Sequence, residues 1–488
     1  MISSPPVHAQ TISGIVTTSD KKKLLETIST PLSFASCSGS ADITIDDSKV
    51  SQQIQGFGGS ITDSAAKAMN DLKNANSDLY NKYLSNTFTN KGAALNYLRV
   101  PIGASDFSYK GGFDDTNGDT SFNSFNIDNA PSYLFSVLQD IMAVNQYAKI
   151  HIVPWSPPAW MKDSNSMNGG SLKDSMVDAY PTYLLKSVQA FKKKNLPVSA
   201  ISIQNEPENS NTNYPTCVMS ASQMATIGKS LRSLLDKNGL NDVKVVGYEH
   251  NWDNAASYPV TMVQDAQDAF DAVAFHCYGG NVNETSDFHS RFPNKVGGYP
   301  TLLYALLQTG IDLCLHRRCT KPSVRARQDQ ISGLTFSGTP VISHTSTGMM
   351  WIFASSDNGK ATLPGSDSCG NGCRAITTVT TSSVTPNQEY YAMGHYARAF
   401  TAEEGGELGK RIDVQVNGGD SLNVVGYVVG SKVSVVVMNT GGTSTKTLSY
   451  GGKKAKFSFP TGLTTLWWST SESDGTTSKR MMKMRGKR

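Results

Sequence analysis

Val198-Ser-Ala-Ile-Ser-Ile-Gln-Asn-Glu-Pro207 starts as a short apolar run and ends in an amide, a carboxylate and a proline. A run this short, without strict polar alternation, reads as a strand buried on both faces, as in parallel sheets. The same texture recurs on either side of it. Before it come Ile54–Ile61, Leu95–Val100 and Lys149–Val153; after it come Val243–Gly247 and Phe270–Phe275. Amphipathic stretches lie between. Met224, Ile227, Leu231, Leu234 and Leu235 keep helical spacing, with Ser220 or Ser222 as N-cap and Gly239 just past the end. Leu184, Val188 and Phe191 repeat the pattern ahead of Lys192–Lys194, cations suited to a helix C-terminus. Strands separated by roughly 30 to 55 residues cannot be hairpins and suit strand–helix units. Six such units by residue 280, with room for two more, predict an α/β chain built on a (β/α)8 TIM barrel.

Beyond residue 385 the pattern changes to Ile412–Val416, Leu422–Val429 and Val433–Met438, strands set between Gly, Asn and Asp turns. They predict an appended antiparallel β-domain over 386–470, joined by a strand from about 40–50. The barrel is then expected over 41–385, a leader over 1–40 and a basic tail over 471–488. Val7-His-Ala-Gln10 resembles the small-residue end of a signal peptide, although no apolar stretch precedes it.

Charge excludes several functions. Charged residues make up only 17 % of 488, and the formal charge is +4. That positive balance is local: Lys479–Arg488 holds six basic groups, and Arg317, Arg318, Lys321, Arg325 and Arg327 form a second cluster. The rest is mildly acidic, which disfavours a nucleic-acid partner. No apolar run is long enough to span a membrane. The seven cysteines show no zinc-like spacing, so no metal or cofactor is expected. Cys369-Gly-Asn-Gly-Cys373 reads as a short bridged loop, and Asn283-Glu-Thr285 is a sequon; both suit an extracellular protein.

In a barrel of this kind the chemistry sits at the C-terminal ends of the strands. Those ends carry Arg99 and Asp106, then Trp155, Asn205-Glu206, Tyr248-Glu249, and His276 with Tyr278. Aromatic rings stack on sugar faces and polar side chains bond hydroxyls, so this rim reads as a carbohydrate cleft. Singly, several have plainer readings: Trp155 as a packing aromatic, His276 as a core histidine, Arg99 as half of an internal ion pair, Glu249 as part of the wall. Glu206 stands out, because a strand running into Asn-Glu-Pro delivers a carboxylate to the rim.

Gln55-Gly-Phe-Gly-Gly-Ser-Ile-Thr-Asp63, Leu98-Arg-Val-Pro-Ile-Gly-Ala-Ser-Asp-Phe-Ser108, Pro154-Trp-Ser-Pro-Pro-Ala-Trp-Met161 and Gln204-Asn-Glu-Pro-Glu208 together resemble glycoside hydrolase family 30. Phe275-His-Cys-Tyr-Gly279 and Thr461–Trp468 extend the likeness, which is nearest to fungal endo-β-1,6-glucanases, relatives of glucosylceramidases. The resemblance implies a retaining mechanism on a barrel with a β-sandwich built from both chain ends. It implies Glu206 as general acid/base, Asn205 on the sugar 2-hydroxyl, and Asp106 and Trp155 lining the same subsite. Arg99, His276 and Tyr278 would orient the carboxylates, Trp351 would complete the wall, and Cys217 could bridge Cys277. The implied partner is a β-glucan, alternatively glucosylceramide, bound by a secreted monomer.

One expected group is missing. A retaining glycosidase needs a second carboxylate about 5 Å from the first, as nucleophile. The family carries it as a Glu ending the seventh strand, yet here no Glu occurs between Glu284 and Glu389. Residues 296–337 also hold the second basic cluster, so two independent signs mark this segment as foreign. A wrong exon boundary, a retained intron or a frameshift would explain it, as would a protein that binds glucan without cutting it. Leu302–Leu307 could form either a strand or a helix in place of the missing segment.

Overall fold

The computed structural model describes residues 10–470 except 37, 110–115, 277, 282–283, 293–301, 306–344, 357–358, 370–371, 403–405 and 419–420, with backbone alone at 302–305. Eight parallel strands close into a barrel: Gly56–Ser60, Tyr97–Ile102, Lys149–Pro154, Val198–Ser202, Lys244–Asn251, Ala272–His276, Leu302–Ala305 and Thr345–Met350. All six strands expected before residue 280 are present. The seventh answers the open question about Leu302–Leu307, since Leu302–Ala305 is strand, paired with Ala272–Phe275 on one side and with Thr345 and Thr347 on the other. The remainder of 296–337 lies outside the described residues, as does the tail 471–488.

Local chemistry explains the helices that alternate with these strands. In Ala221–Lys237, Ser220 accepts from the Gln223 amide while Gln223 returns a bond to the Ser220 amide, satisfying two orphan donors of the first turn. Asn238 caps the other end, and Gly239 follows at φ +64 in the left-handed region. Tyr180–Lys193 ends on Lys192 and Lys193, as expected. Inside the barrel, Tyr97, Ala200, Val246, Ala274 and Met349 form an apolar layer drawn from five strands. Side chains alternate along a strand, so the residues two places on, Arg99, Ser202 and His276, also point inward. That next layer is polar, and it carries the site. The first strand comes close to the second: a Cβ on Gly58 would lie 1.9 Å from the Tyr97 carbonyl oxygen.

The β-domain departs from expectation in its limits. Among the described residues, those between 52 and 398 form one compact unit, whereas those of 10–51, 399–402 and 407–470 form the other. The barrel therefore keeps the helix Gln388–Phe400 through Arg398 instead of ending at 385. The expected leader over 1–40 is corrected by strands Gln10–Thr18, Glu26–Thr27 and Leu32–Phe34. The first of these pairs antiparallel with Gly462–Ser469, from Ser13 opposite Trp467 to Thr18 opposite Gly462. Burial of Ile12 and Phe34 against Val435, Leu448, Leu466 and Trp468 explains why this stretch orders as sheet. Ten strands form one mostly antiparallel sheet, and strands far apart in its order share that single core, which makes it a sandwich. Gly451-Gly452, both at positive φ, form the two-residue turn between Ser444–Tyr450 and Lys453–Phe459.

The helix Gln388–Phe400 also carries a pH-sensitive group. Burial holds the fully buried His395 down at about 3 in the folded state, against 6.5 ordinarily. Above 6.5 both states are neutral; below it the unfolded chain binds a proton that the fold refuses. Stability is thus lost as pH falls, by about 1.4 kcal/mol per unit from this residue. Urea unfolding at a series of pH values below 6.5 is expected to show His395→Gln with an acid limb shallower by about that slope. Parallel limbs would refute the assignment.

Candidate active site

Three strand ends bracket Glu206. Past Ser202 the chain runs on to Asn205, whose amide donates to Pro154 O at 2.8 Å, and to Glu206, whose amide donates to Glu249 O at 2.9 Å. Glu206 sits at φ +47, left-handed and costly for a residue with a side chain; such outliers cluster where function fixes geometry. Its Oε1 lies 2.9 Å from His276 Nδ1, and its Oε2 accepts from Asn209 Nδ2 at 2.8 Å. Asn209 Nδ2 also donates to the Tyr214 hydroxyl at 3.1 Å. The Glu206 side chain is 15 % exposed, whereas those of Glu249 and His276 are sealed.

Arg99 lies within the second strand, not after it, and is fully buried. Its Nη2 donates to Asn205 Oδ1 at 2.7 Å and to Glu249 Oε2 at 3.1 Å. Its guanidinium lies 4.6 Å from the Trp155 ring centre and 5.9 Å from that of Trp351. The two indoles stack at 4.8 Å, and Phe107 meets Trp351 edge-on at 5.6 Å. Asp106 is buried beside this cluster, bonded by the Ser368 hydroxyl through Oδ2, while its Oδ1 is buried without a hydrogen-bond partner among the described residues. Tyr278 stays at the rim, 38 % exposed, with its ring edge-on to His276. The structure thus brings together Arg99, Asp106, Trp155, Asn205, Glu206, His276, Tyr278 and Trp351.

Glu249, read from sequence as a wall residue, is the hub of the cluster. Tyr248 and Glu249 are both left-handed, at φ +67 and +57, and the register with the sixth strand shifts at this point. That bulge turns Glu249 inward, where its oxygens meet Arg99, His276 Nε2 at 3.0 Å, His151 Nε2 at 3.7 Å and the Ser202 hydroxyl. Burial pushes the Glu249 carboxyl up, but Arg99 and the two histidines outweigh it and hold it near 2. Burial likewise raises Glu206, and the His276 bond and charge bring it down to about 2. Between them, His276 is raised above 6.5 despite burial, by its bonds to both carboxylates. Asp106 goes the other way: burial lifts it to about 7 against the Ser368 bond.

Two cysteine expectations separate. Cys369 and Cys373 are bridged, and both pack against the Trp155–Trp351 cluster. Cys217 is a buried thiol beside Lys162, and Cys277, with which a bridge was expected, is not among the described residues. The sequon's Asn283 lies outside them too. Lys162 Nζ instead donates to Met167 O at 2.7 Å and Thr216 O at 2.6 Å, tying together the loops after the third and fourth strands. Among the described residues no group of His, Cys, Asp and Glu is placed to hold a metal, and no helix is long and apolar enough to cross a membrane. Sequence reading missed Ser202, His151, Asn209, Tyr214 and Ser368. Asn209, one turn of chain beyond Glu206, was the most accessible of these.

The arrangement offers a partly exposed carboxylate, Glu206, held by an imidazole and an amide, as carbohydrate acid–base chemistry requires. Glu249 is committed to Arg99, Ser202 and His276, Asp106 is buried and bonded through one oxygen to Ser368, and the stretch after Ala305 in sequence, Leu306-Leu-Gln-Thr309, contains no acid.

Comparison with known proteins agrees with this geometry. The glycosyl hydrolase family 30 TIM-barrel domain model matches residues 54–298. The chain is 30 % identical over 375 residues to an endo-1,6-β-D-glucanase of Neurospora crassa, covering 73 % of this chain and 72 % of that one. It is 32 % identical over 274 residues to an endo-1,6-β-D-glucanase of Trichoderma harzianum, a match spanning 52 % of this chain and only 55 % of the relative. A putative glucosylceramidase of Caenorhabditis elegans is 27 % identical over 272 residues, 52 % of this chain and 51 % of the relative. Among solved structures, an endo-β1,6-glucanase superposes with a TM-score of 0.80 at 22 % identity, covering 94 % of this chain and 100 % of its own, which speaks for the fold.

Proposed function

The chain belongs to glycoside hydrolase family 30, and from that premise we propose that its cleft is that of a retaining endo-β-1,6-glucanase, with Glu206 as general acid/base. The observation that carries the reading is Glu206 itself, partly exposed past the end of the fourth strand and next to Asn205, whose amide oxygen is held by an Arg99 that packs on Trp155, itself stacked on Trp351. Asn205, fixed by Arg99, takes the sugar 2-hydroxyl, and the buried Asp106 offers its unpartnered Oδ1 to another hydroxyl. The indoles and Tyr278 form the apolar walls for sugar faces. Glu206 protonates the leaving oxygen and, in a complete retaining site, later activates water.

A second reading rests on the sequence after the seventh strand. Without a nucleophile the covalent intermediate cannot form, and the same cleft becomes a glucan-binding site that cuts very slowly. The Cys369–Cys373 bridge and the Asn283 sequon favour work outside the cell. Calorimetric titration with β-1,6-glucan, β-1,3-glucan and glucosylceramide vesicles separates the substrate classes. Tightest binding to β-1,6-glucan is expected, weakened about 2- to 10-fold in Tyr278→Ala by loss of one stacking surface. Equal binding to β-1,3-glucan would refute the linkage, tighter binding to the vesicles would favour a glucosylceramidase-type enzyme, and no binding to any would refute the cleft.

A further inference from the structure

We propose that His276 is the proton store of Glu206: at rest the proton sits on His276 Nδ1, and it crosses to Glu206 Oε1 when Glu206 acts as an acid. The inference deepens the acid/base reading of Glu206 and rests on it. It follows from a continuous line of hydrogen bonds through the barrel interior whose directions are fixed one after another. An ionised carboxylate only accepts, so the Ser202 hydroxyl spends its proton on Glu249 Oε1. Ser202 Oγ must then accept from His151 Nε2, 2.7 Å away. Burial holds His151 down at about 4, so that ring is neutral and its Nδ1 is left as the acceptor toward the Tyr97 hydroxyl at 3.4 Å. On the other side, Glu249 Oε2 already accepts from Arg99 Nη2 and so takes a further donor, His276 Nε2–H.

His276 Nε2 is thereby committed as a donor, and only the 2.9 Å contact between Nδ1 and Glu206 Oε1 remains. One proton lies in that contact whichever atom holds it. On Nδ1 it makes an imidazolium and a carboxylate; on Oε1 it makes a neutral imidazole and a carboxylic acid. The transfer breaks the Nδ1–H bond and forms the Oε1–H bond, with no other reactant and no net change of charge. Asn209 occupies Oε2 as donor, so Oε1 is the oxygen that receives the proton. Glu249 holds the proton in store. Its two oxygens meet Arg99, Ser202 and His276, so it cannot itself turn toward the cleft, and it stabilises the cation on His276. Among the described residues, the charged and titratable groups around His276 are Glu206, Glu249 and, through these, His250, Arg99 and Asp106; Tyr278 presents its ring edge. The seventh strand adds no charged residue within Leu302–Ala305.

The device explains how a carboxyl held near 2 can still deliver a proton: it is loaded from inside the barrel, not by solvent. Histidine nitrogen NMR on the full chain tests this, with the His276 signals assigned by their loss in His276→Gln. At a pH equal to the ordinary histidine value, both ring nitrogens of His276 are expected to be mostly protonated, with Nε2–H retained throughout. Glu206→Gln removes one anion at hydrogen-bond distance and is expected to lower the His276 midpoint by about 1–3 units. A ring nitrogen bare at that pH in the native chain, or a midpoint unmoved by Glu206→Gln, would overturn the proposal. These signals need no turnover, so failure here is separate from a failure to bind glucan, which would count against the cleft itself.

Discussion

Supplied with saturating β-1,6-glucan, this chain is expected to release reducing ends at least about 10⁴-fold more slowly than its Neurospora relative, because removing the nucleophile of a covalent mechanism costs that much or more. The acid side is built: Glu206 is fixed by Asn209 and His276. The opposite side needs a carboxylate about 5 Å from Glu206, and the family takes it from the end of the seventh strand. Here that strand is Leu302–Ala305, followed in sequence by Leu-Leu-Gln-Thr. Neither buried acid can substitute. Glu249 is locked by Arg99, Ser202 and His276, and Asp106 is half neutral near pH 7. Colorimetric assay of reducing ends on purified protein decides the matter, and turnover within tenfold of the relative would sink the idea. Sequencing the transcript between the codons for Lys295 and Gly338 completes the test. A message restoring a strand that ends in Glu predicts full activity for its product.

The second large effect is on stability. Arg99→Met should cost about 3–5 kcal/mol, the loss typical when one partner of a buried ion pair is removed and the other is left charged and dry. Glu249 would lose its permanently charged partner, Asn205 its donor and Trp155 the guanidinium on its face. Because the penalty is mostly that of an abandoned anion, Arg99→Met combined with Glu249→Gln should recover a good part of it. Denaturant unfolding of the three variants tests both statements. A single-variant loss below about 1 kcal/mol would mean that the histidines alone neutralise Glu249.

Much of the barrel was legible because its signals are local. Six apolar runs, the Ser220 cap and Gly239 each state their conformation within a few residues. The site residues were legible for the same reason, since each lies in a short motif at a strand end. What escaped depends on distance or on backbone geometry. Nothing in Gly-Tyr-Glu-His announces two consecutive left-handed residues, so Glu249 looked like wall when it is the hub. Ser368 reaches Asp106 across 262 positions, beyond any local pattern. The strand Gln10–Thr18 was hidden because its partner lies at the far end of the chain, and a segment beginning near Val-His-Ala-Gln reads as disposable.

That pairing sets an order of events during synthesis. Ser13 cannot meet Trp467 until nearly the whole chain has been translated. At about 5–20 residues per second the N-terminal strands therefore wait on the order of half a minute to a minute and a half. Throughout that interval Gln10–Thr18 can pair only with the nearby Glu26–Thr27 and Leu32–Phe34, and its pairing from Ser13 to Thr18 with Gly462–Ser469 stays unmade, while the barrel can assemble strand by strand behind it. A strand made early is thus completed late, so the nascent chain stays open to wrong partners at Ser13–Thr18 for the whole of that interval.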